Sequence, residues 1–170
     1  DSSNMDIKKI TNSVLTFTIN KLIEIIGIIV SILGILLLIA IFSYSPSDPN
    51  FVFPENTEIA NFLGFRGSYI SDLFLQSVGL ISYLIPITYI FTGINIFNKK
   101  QISLSIKNTF FLIIYSLTGS LFFSYFHNEG FELYINGNGG FVGNYINQIF
   151  FENILNSYQN FFYYFLIFLT

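Results

Sequence analysis

Charge is what this chain lacks most. Only 10% of its 170 residues are Asp, Glu, Lys or Arg, against about 25% in ordinary soluble domains. Hydrophobic residues make up 52% and aromatic residues 19%. A soluble fold with this balance would expose large apolar patches and aggregate, so lipid is the better solvent for it. Cysteine is absent, which excludes disulfides, thiolate chemistry and Cys-ligated zinc or iron–sulfur sites. Histidine occurs once, at His127, whereas haem and di-metal sites inside a helical bundle need several ligands. We therefore read His127 as an interfacial residue and expect no cofactor and no metal. Alanine occurs only at Ala40 and Ala60 while Ile, Phe and Asn abound. That bias points to A·T-rich coding, so the asparagines are not taken as a polar site.

Long apolar runs are abundant. A membrane helix needs about 20 apolar residues, because a ~30 Å hydrocarbon core is crossed at 1.5 Å per residue. The sequence predicts four spans, over residues 22–44, 72–97, 108–126 and 154–170. The first is too long for a signal-peptide core and has no small-residue cleavage site after it. The chain begins with Asp1 and ends inside NFFYYFLIFLT, and we expect it to be part of a longer protein, with the fourth span incomplete.

Charge sets the predicted orientation. Six of the seven basic residues, Lys8, Lys9, Lys21, Lys99, Lys100 and Lys107, lie before the first span or between the second and third. Arg66 alone faces Asp48, Glu55, Glu58, Asp72, Glu129, Glu132 and Glu152 in the other two connections. The positive-inside rule then makes residues 1–21 and 98–107 cytoplasmic and the loops 45–71 and 127–153 external. Both termini fall on the cytoplasmic side. Tyr44, Tyr125 and Tyr158 fall near the predicted interfaces, where an apolar ring with a polar tip is well placed.

The two outer loops share a motif. GFRGSYISDLF (Gly64–Phe74) and GFVGNYINQIF (Gly140–Phe150) have six identical positions in eleven. This predicts two related helical hairpins in the same orientation. In the second copy, Val142, Tyr145, Ile146, Ile149 and Phe150 recur at helical spacing, with Asn144, Asn147 and Gln148 opposite. A short amphipathic helix is therefore expected over 140–151, before the fourth span, lying on the outer leaflet or packed over the bundle. In the first copy the same pattern runs straight into span two.

Other features point to packing. Gly27, Ser31 and Gly34 share a face of span one, and Ser116, Ser120 and Ser124 form a small-residue ladder on span three beside Gly119; in lipid such faces let helices approach closely. Pro86, within span two, predicts a kink. Glu24 lies one turn from the cytoplasmic edge and is expected to snorkel to water. NGNGGFVG (Asn136–Gly143) lacks both the GxGxxG spacing and a following Lys-Ser/Thr, so it reads as a flexible loop and not a phosphate cradle. After span one, SYSPSDPNF stops the helix: Pro46 and Pro49 push Ser45 and Asp48 out of helical geometry. Asp48 is expected to play a structural role in directing the loop.

In order and spacing, these pieces resemble the N-terminal four-helix membrane domain of the FtsK/SpoIIIE septal DNA translocases. A Y-x-x-x-D-P segment follows span one, carried by Tyr44, Asp48 and Pro49. A G-x-x-G-x-Y/W-x-x-D stretch with a later glycine enters span two, carried by Gly64, Gly67, Tyr69, Asp72 and Gly79. A GGxxG before span four is carried by Gly139, Gly140 and Gly143. The resemblance covers about residues 20–170. It implies an all-α integral membrane anchor in the bacterial inner membrane that targets a C-terminal ATP-driven DNA motor to the division septum. It also implies a homo-oligomer, hexameric in the family, in contact with other divisome membrane proteins. No Walker A lysine is present, so this chain is expected to be no enzyme itself and to make no direct nucleic-acid contact. A small four-span transporter or channel subunit is the alternative.

Overall fold

The computed structural model describes residues 2–49, 58–127, 135–151 and 158–170. All regular structure among them is helical. Glu55, Glu129, Glu132, Glu152, part of both expected outer loops and the start of the fourth apolar run lie outside the described residues.

Helix α1 spans Ser2–Phe42, 41 residues. At 1.5 Å per residue it is about 62 Å long, twice the ~30 Å hydrocarbon core. Its sequence is rich in Ile, a middling helix former in water. In lipid, each backbone N–H and C=O must be satisfied within the segment, which makes helix the only conformation open to such a run. The helix stops where expected: Pro46 opens a turn closed by Asp48 N–H donating to Ser45 O at 3.2 Å.

The second apolar segment is not one helix. Helix α2 covers Gly64–Val78, a 3₁₀ turn covers Gly79–Tyr83, and α3 covers Leu84–Lys99. The break falls at Gly79, with φ 71° and ψ −145°, a backbone region essentially closed to residues with a Cβ. Pro86 does not kink a continuous helix as the sequence predicts. It lies in the first turn of α3, where its missing N–H would have no intrahelical acceptor anyway.

Helix α4 spans Ser103–Phe126, α5 Gly140–Ile146 and α6 Gln159–Leu169. The helix expected over 140–151 is α-helical only for its first seven residues and continues as a π turn over Asn147–Phe151. Taking α2 through α3 as one broken segment, three helices among the described residues are long and apolar enough to cross a membrane; α6, at 11 residues, is shorter.

Helices α1 and α3 form the principal pair, running antiparallel. A Cβ on Gly27 would lie 2.7 Å from Gly93 O and from Phe97 N, and one on Gly34 would lie 2.9 Å from Ile90 N and 3.0 Å from Pro86 O. Glycine lets the backbones meet, and Ser31 Oγ donates to Ile90 O at 3.2 Å between those contacts. At one end of this pair, Glu24 binds Lys21 at 2.7 Å and Lys100 at 3.0 Å. The acid therefore pins α1 to the end of α3 and is not free in water. Between α3 and α4, the Thr88 and Tyr115 hydroxyls meet at 2.8 Å and Asn108 donates to Thr92 Oγ1 at 2.8 Å.

Candidate functional site: a polar junction at the Tyr44 end

At the other end of the α1–α3 pair, buried polar residues replace the apolar packing. Asp48, only 4% exposed, accepts the backbone N–H groups of Ala60 (2.8 Å) and Asn61 (2.9 Å), one on each carboxylate oxygen. A buried carboxylate is costly unless donors satisfy it, and these two fix the chain entering α2. Asn61, also 4% exposed, donates to Ala40 O (2.8 Å) and Ser43 O (3.2 Å) and accepts from Leu63 N–H (3.1 Å). It thereby caps the last carbonyls of α1, which have no partner within the helix. Tyr44 donates to Asp72 Oδ1 at 3.0 Å, and Ser68 donates to Pro49 O at 2.6 Å.

Around Gly79, the NGNGG segment closes the second half of this junction. Leu80 N–H, freed by the helix break, donates to Asn138 O at 2.9 Å. Asn136 Nδ2 reaches Gln76 O and Oε1 at 3.4 and 3.3 Å. A Cβ on Gly140 would lie 2.5 Å from Gly79 N, and one on Gly139 2.5 Å from Ser124 N. Ser120 donates to Gly139 O, and Ser124 donates to Asn144 Oδ1 at 2.5 Å. What reads as a flexible loop is a docked segment, packed by glycines against the break in span two and the serine ladder of α4.

The two motif copies share local geometry. Gly64 and Gly140 both have φ +65°. Gly64 N–H donates to Asn61 O at 2.8 Å and Gly140 N–H to Gly137 O at 3.1 Å, the same turn at the same spacing. Gly67 faces Asn61 and Leu63, while Gly143 faces Ser120. Phe65–Tyr69 and Phe141–Tyr145 form equivalent ring pairs, with centroids 6.4 and 5.9 Å apart.

The residues singled out in the sequence divide clearly. Tyr44, Pro46, Asp48, Pro49, Gly64, Gly67, Asp72, Gly79, Gly139, Gly140, Gly143, Ser120 and Ser124 come together at this junction, with Tyr69 on its outer side. Gly27, Ser31, Gly34 and Pro86 lie in the α1–α3 contact. Ser116 lies apart, 7% exposed and with no hydrogen-bond partner for its Oγ among the described residues. It lines an apolar crevice of about 270 Å³ with Leu73, Phe74, Ile85 and Leu112. His127 lies against Phe122 in a tilted ring pair, with centroids 5.3 Å apart, and no group of three His, Cys, Asp or Glu forms a metal site among the described residues. Asn61 and Asn144 are what the sequence reading missed. The only available signal was position, since both lie within a few residues of the repeated glycines.

The motifs thus meet in space as well as in order, and comparison with known proteins says whose they are. Residues 20–170 match the model of the 4TM region of DNA translocase FtsK/SpoIIIE. The chain belongs to this family. Among curated relatives named DNA translocase FtsK, that of Rickettsia prowazekii is 30% identical over 107 residues, covering 61% of this chain and 14% of that protein. The Rickettsia typhi protein is 28% identical with the same coverage, and the Caulobacter vibrioides protein 37% identical over 68 residues, 40% of this chain and 8% of that protein. The chain therefore spans about a seventh of the length of the Rickettsia relatives. The match is to the membrane region of the FtsK family, which is not the ATPase motor. No solved structure matches.

Proposed function

We propose that this chain is the septum-targeting and oligomerising membrane anchor of a bacterial DNA translocase that acts in cell division and chromosome segregation. Membrane anchoring follows from the family and the apolar helices; the finer roles are our reading. The observation that carries it is the convergence of the three family motifs on one junction, through Tyr44–Asp72, Asp48–Asn61 and Leu80–Asn138, the last beside Gly79. A rigid junction at the external end gives the anchor a fixed face toward other divisome proteins. Four spans, as two hairpins, would return the chain to the cytoplasm, where the ATP-driven motor would handle DNA. The small-residue faces serve packing within and between copies, in a hexamer by family resemblance.

The experiment is imaging of dividing cells that express residues 1–170 fused to a fluorescent protein, with co-purification of two differently tagged copies. A midcell band and mutual capture are expected. A uniform membrane rim without a midcell band would refute targeting, and absence of capture would refute oligomerisation.

A further inference from the structure

The two motif helices are built inside out. Toward the spans, α2 buries Gly67, Ser68, Ser71, Asp72 and Leu75, four of them small or polar. Its exposed side carries Phe65 (50% exposed), Ile70 (42%) and Leu73 (56%), with Phe62 (83%) just before it. In α5 and the turn after it, Gly140 and Gly143 are buried and Asn144 is bonded to Ser124, while Phe141, Tyr145 and Ile149 are more than half exposed. The sequence pattern leaves open whether the apolar side of the second helix meets the outer leaflet or packs over the bundle. Small polar residues inward and large apolar residues outward is the arrangement of helices that pack in lipid.

Length places these helices. From Lys21 to Tyr44, α1 and its end cover about 35 Å, enough for the ~30 Å core. Against it, the 3₁₀ turn and α3 together, at about 2.0 and 1.5 Å per residue, rise about 34 Å. They cross alone, and α2 is surplus to the crossing. It packs at the Tyr44 end, where Asn61 donates to Ala40 O and Ser43 O and also reaches Ser71 Oγ of α2. α5 packs equivalently on Ser120 and Ser124 of α4.

We propose that α2 and α5 are half-helices seated in the outer leaflet, with the pairs Phe65–Tyr69 and Phe141–Tyr145 as twin interfacial anchors and Arg66 bound to a lipid phosphodiester. Their apolar sides continue the lipid-facing surface of the spans. Arg66 is exposed beside Phe65 and Tyr69, and it is the single cation among the predicted external segments. A protein partner would meet one side of the molecule, whereas the same aromatic pair recurs on helices held by α1 and by α4. Lipid is the one neighbour common to both.

The absence of tryptophan makes the test clean. Phe65→Trp and Phe141→Trp are each introduced into the chain and reconstituted in phosphatidylcholine vesicles, with or without bromine near the headgroup end or deep in the acyl chains. Both tryptophans are expected to be quenched more by shallow than by deep bromine, about twofold for a ring seated 5–10 Å into the interface. Adding Arg66→Gln is expected to reduce shallow quenching at position 65 and leave position 141 unchanged, which also reports that the fold persists. Tryptophans insensitive to either bromine and open to aqueous iodide would overturn the lipid seat. Unchanged quenching at 65 with Arg66→Gln would overturn the phosphodiester contact.

Discussion

Asn61 does more at the junction than any other single side chain described. Its amide hydrogens close the end of α1, its amide oxygen holds Leu63, and its own backbone N–H is held by Asp48. Removing one partner from a buried hydrogen bond leaves the other unsatisfied, at about 1–3 kcal/mol each. Asn61→Ala is therefore expected to lower stability by about 2–4 kcal/mol, more than one such loss, read as thermal unfolding of the purified chain in detergent. At Asp48 the order of effects is the informative measurement. Asp48→Asn keeps one of two acceptors and Asp48→Ala keeps neither, so alanine should unfold at the lower temperature; equal midpoints would show that the carboxylate is not what holds Ala60 and Asn61. Tyr44, Asp48 and Asp72 were legible in the sequence because prolines, glycines and family spacing mark them. Asn61 was not, since a chain rich in asparagine hides one that matters.

The element whose shape the sequence concealed is the second apolar segment. Hydropathy runs unbroken from Leu73 to Phe97, and Pro86 is its conspicuous residue, yet the helix breaks seven residues earlier. Proline is costly inside a helix but harmless in a first turn, so its effect depends on where the helix begins, which Gly79 decides. Two glycines of positive φ separate the causes. Gly64 has open space around its missing Cβ, whereas a Cβ on Gly79 would collide with the carbonyl of Asn138. Gly64→Ala should cost only the backbone strain, about 1–3 kcal/mol. Gly79→Ala adds a backbone collision and should undock the Asn136–Gly140 segment. Protease sensitivity near residue 137 should rise in Gly79→Ala and stay at the parent level in Gly64→Ala. Equal sensitivity in the two would mean the segment is not held by the break. Pro86→Ala should be nearly silent in the same assay, because Pro86 in the first turn of α3 does not hold the Asn136–Gly140 segment. The repeat itself was legible from its identities, and its matched turns at Gly64 and Gly140 give it a backbone reason. That the polar side of each copy faces inward was not legible, because helical periodicity separates two faces without saying which meets lipid.

For the molecule as a whole, the argument turns on where the cations lie. All six lysines fall on the side predicted to be cytoplasmic, and two of them, Lys21 and Lys100, grip Glu24 where α1 and α3 meet. The buried polar junction stands at the opposite end of that pair. That the chain is helical and apolar enough to cross a membrane was readable from composition, because lipid leaves so few ways to satisfy a backbone. How the helices join was not, because it depends on glycine contacts and asparagine amides contributed by distant segments. Orientation is testable with single cysteines, since the chain has none of its own. Ser47 and Ile135 are exposed at the junction end, and Gln101 is exposed beside Lys100. In intact spheroplasts, a membrane-impermeant maleimide should label Ser47→Cys and Ile135→Cys but reach Gln101→Cys only after permeabilisation. Labelling of Gln101→Cys from outside would invert the topology. The cause can be tested in the same cysteine variants: replacing Lys99, Lys100 and Lys107 with glutamine removes the bias of the middle loop while leaving its length unchanged. If lysine retention inside is what orients the chain, Gln101→Cys in that background should become partly labelled from outside. If it stays protected, Lys8, Lys9 and Lys21 suffice, and the first span alone sets the direction of all that follow.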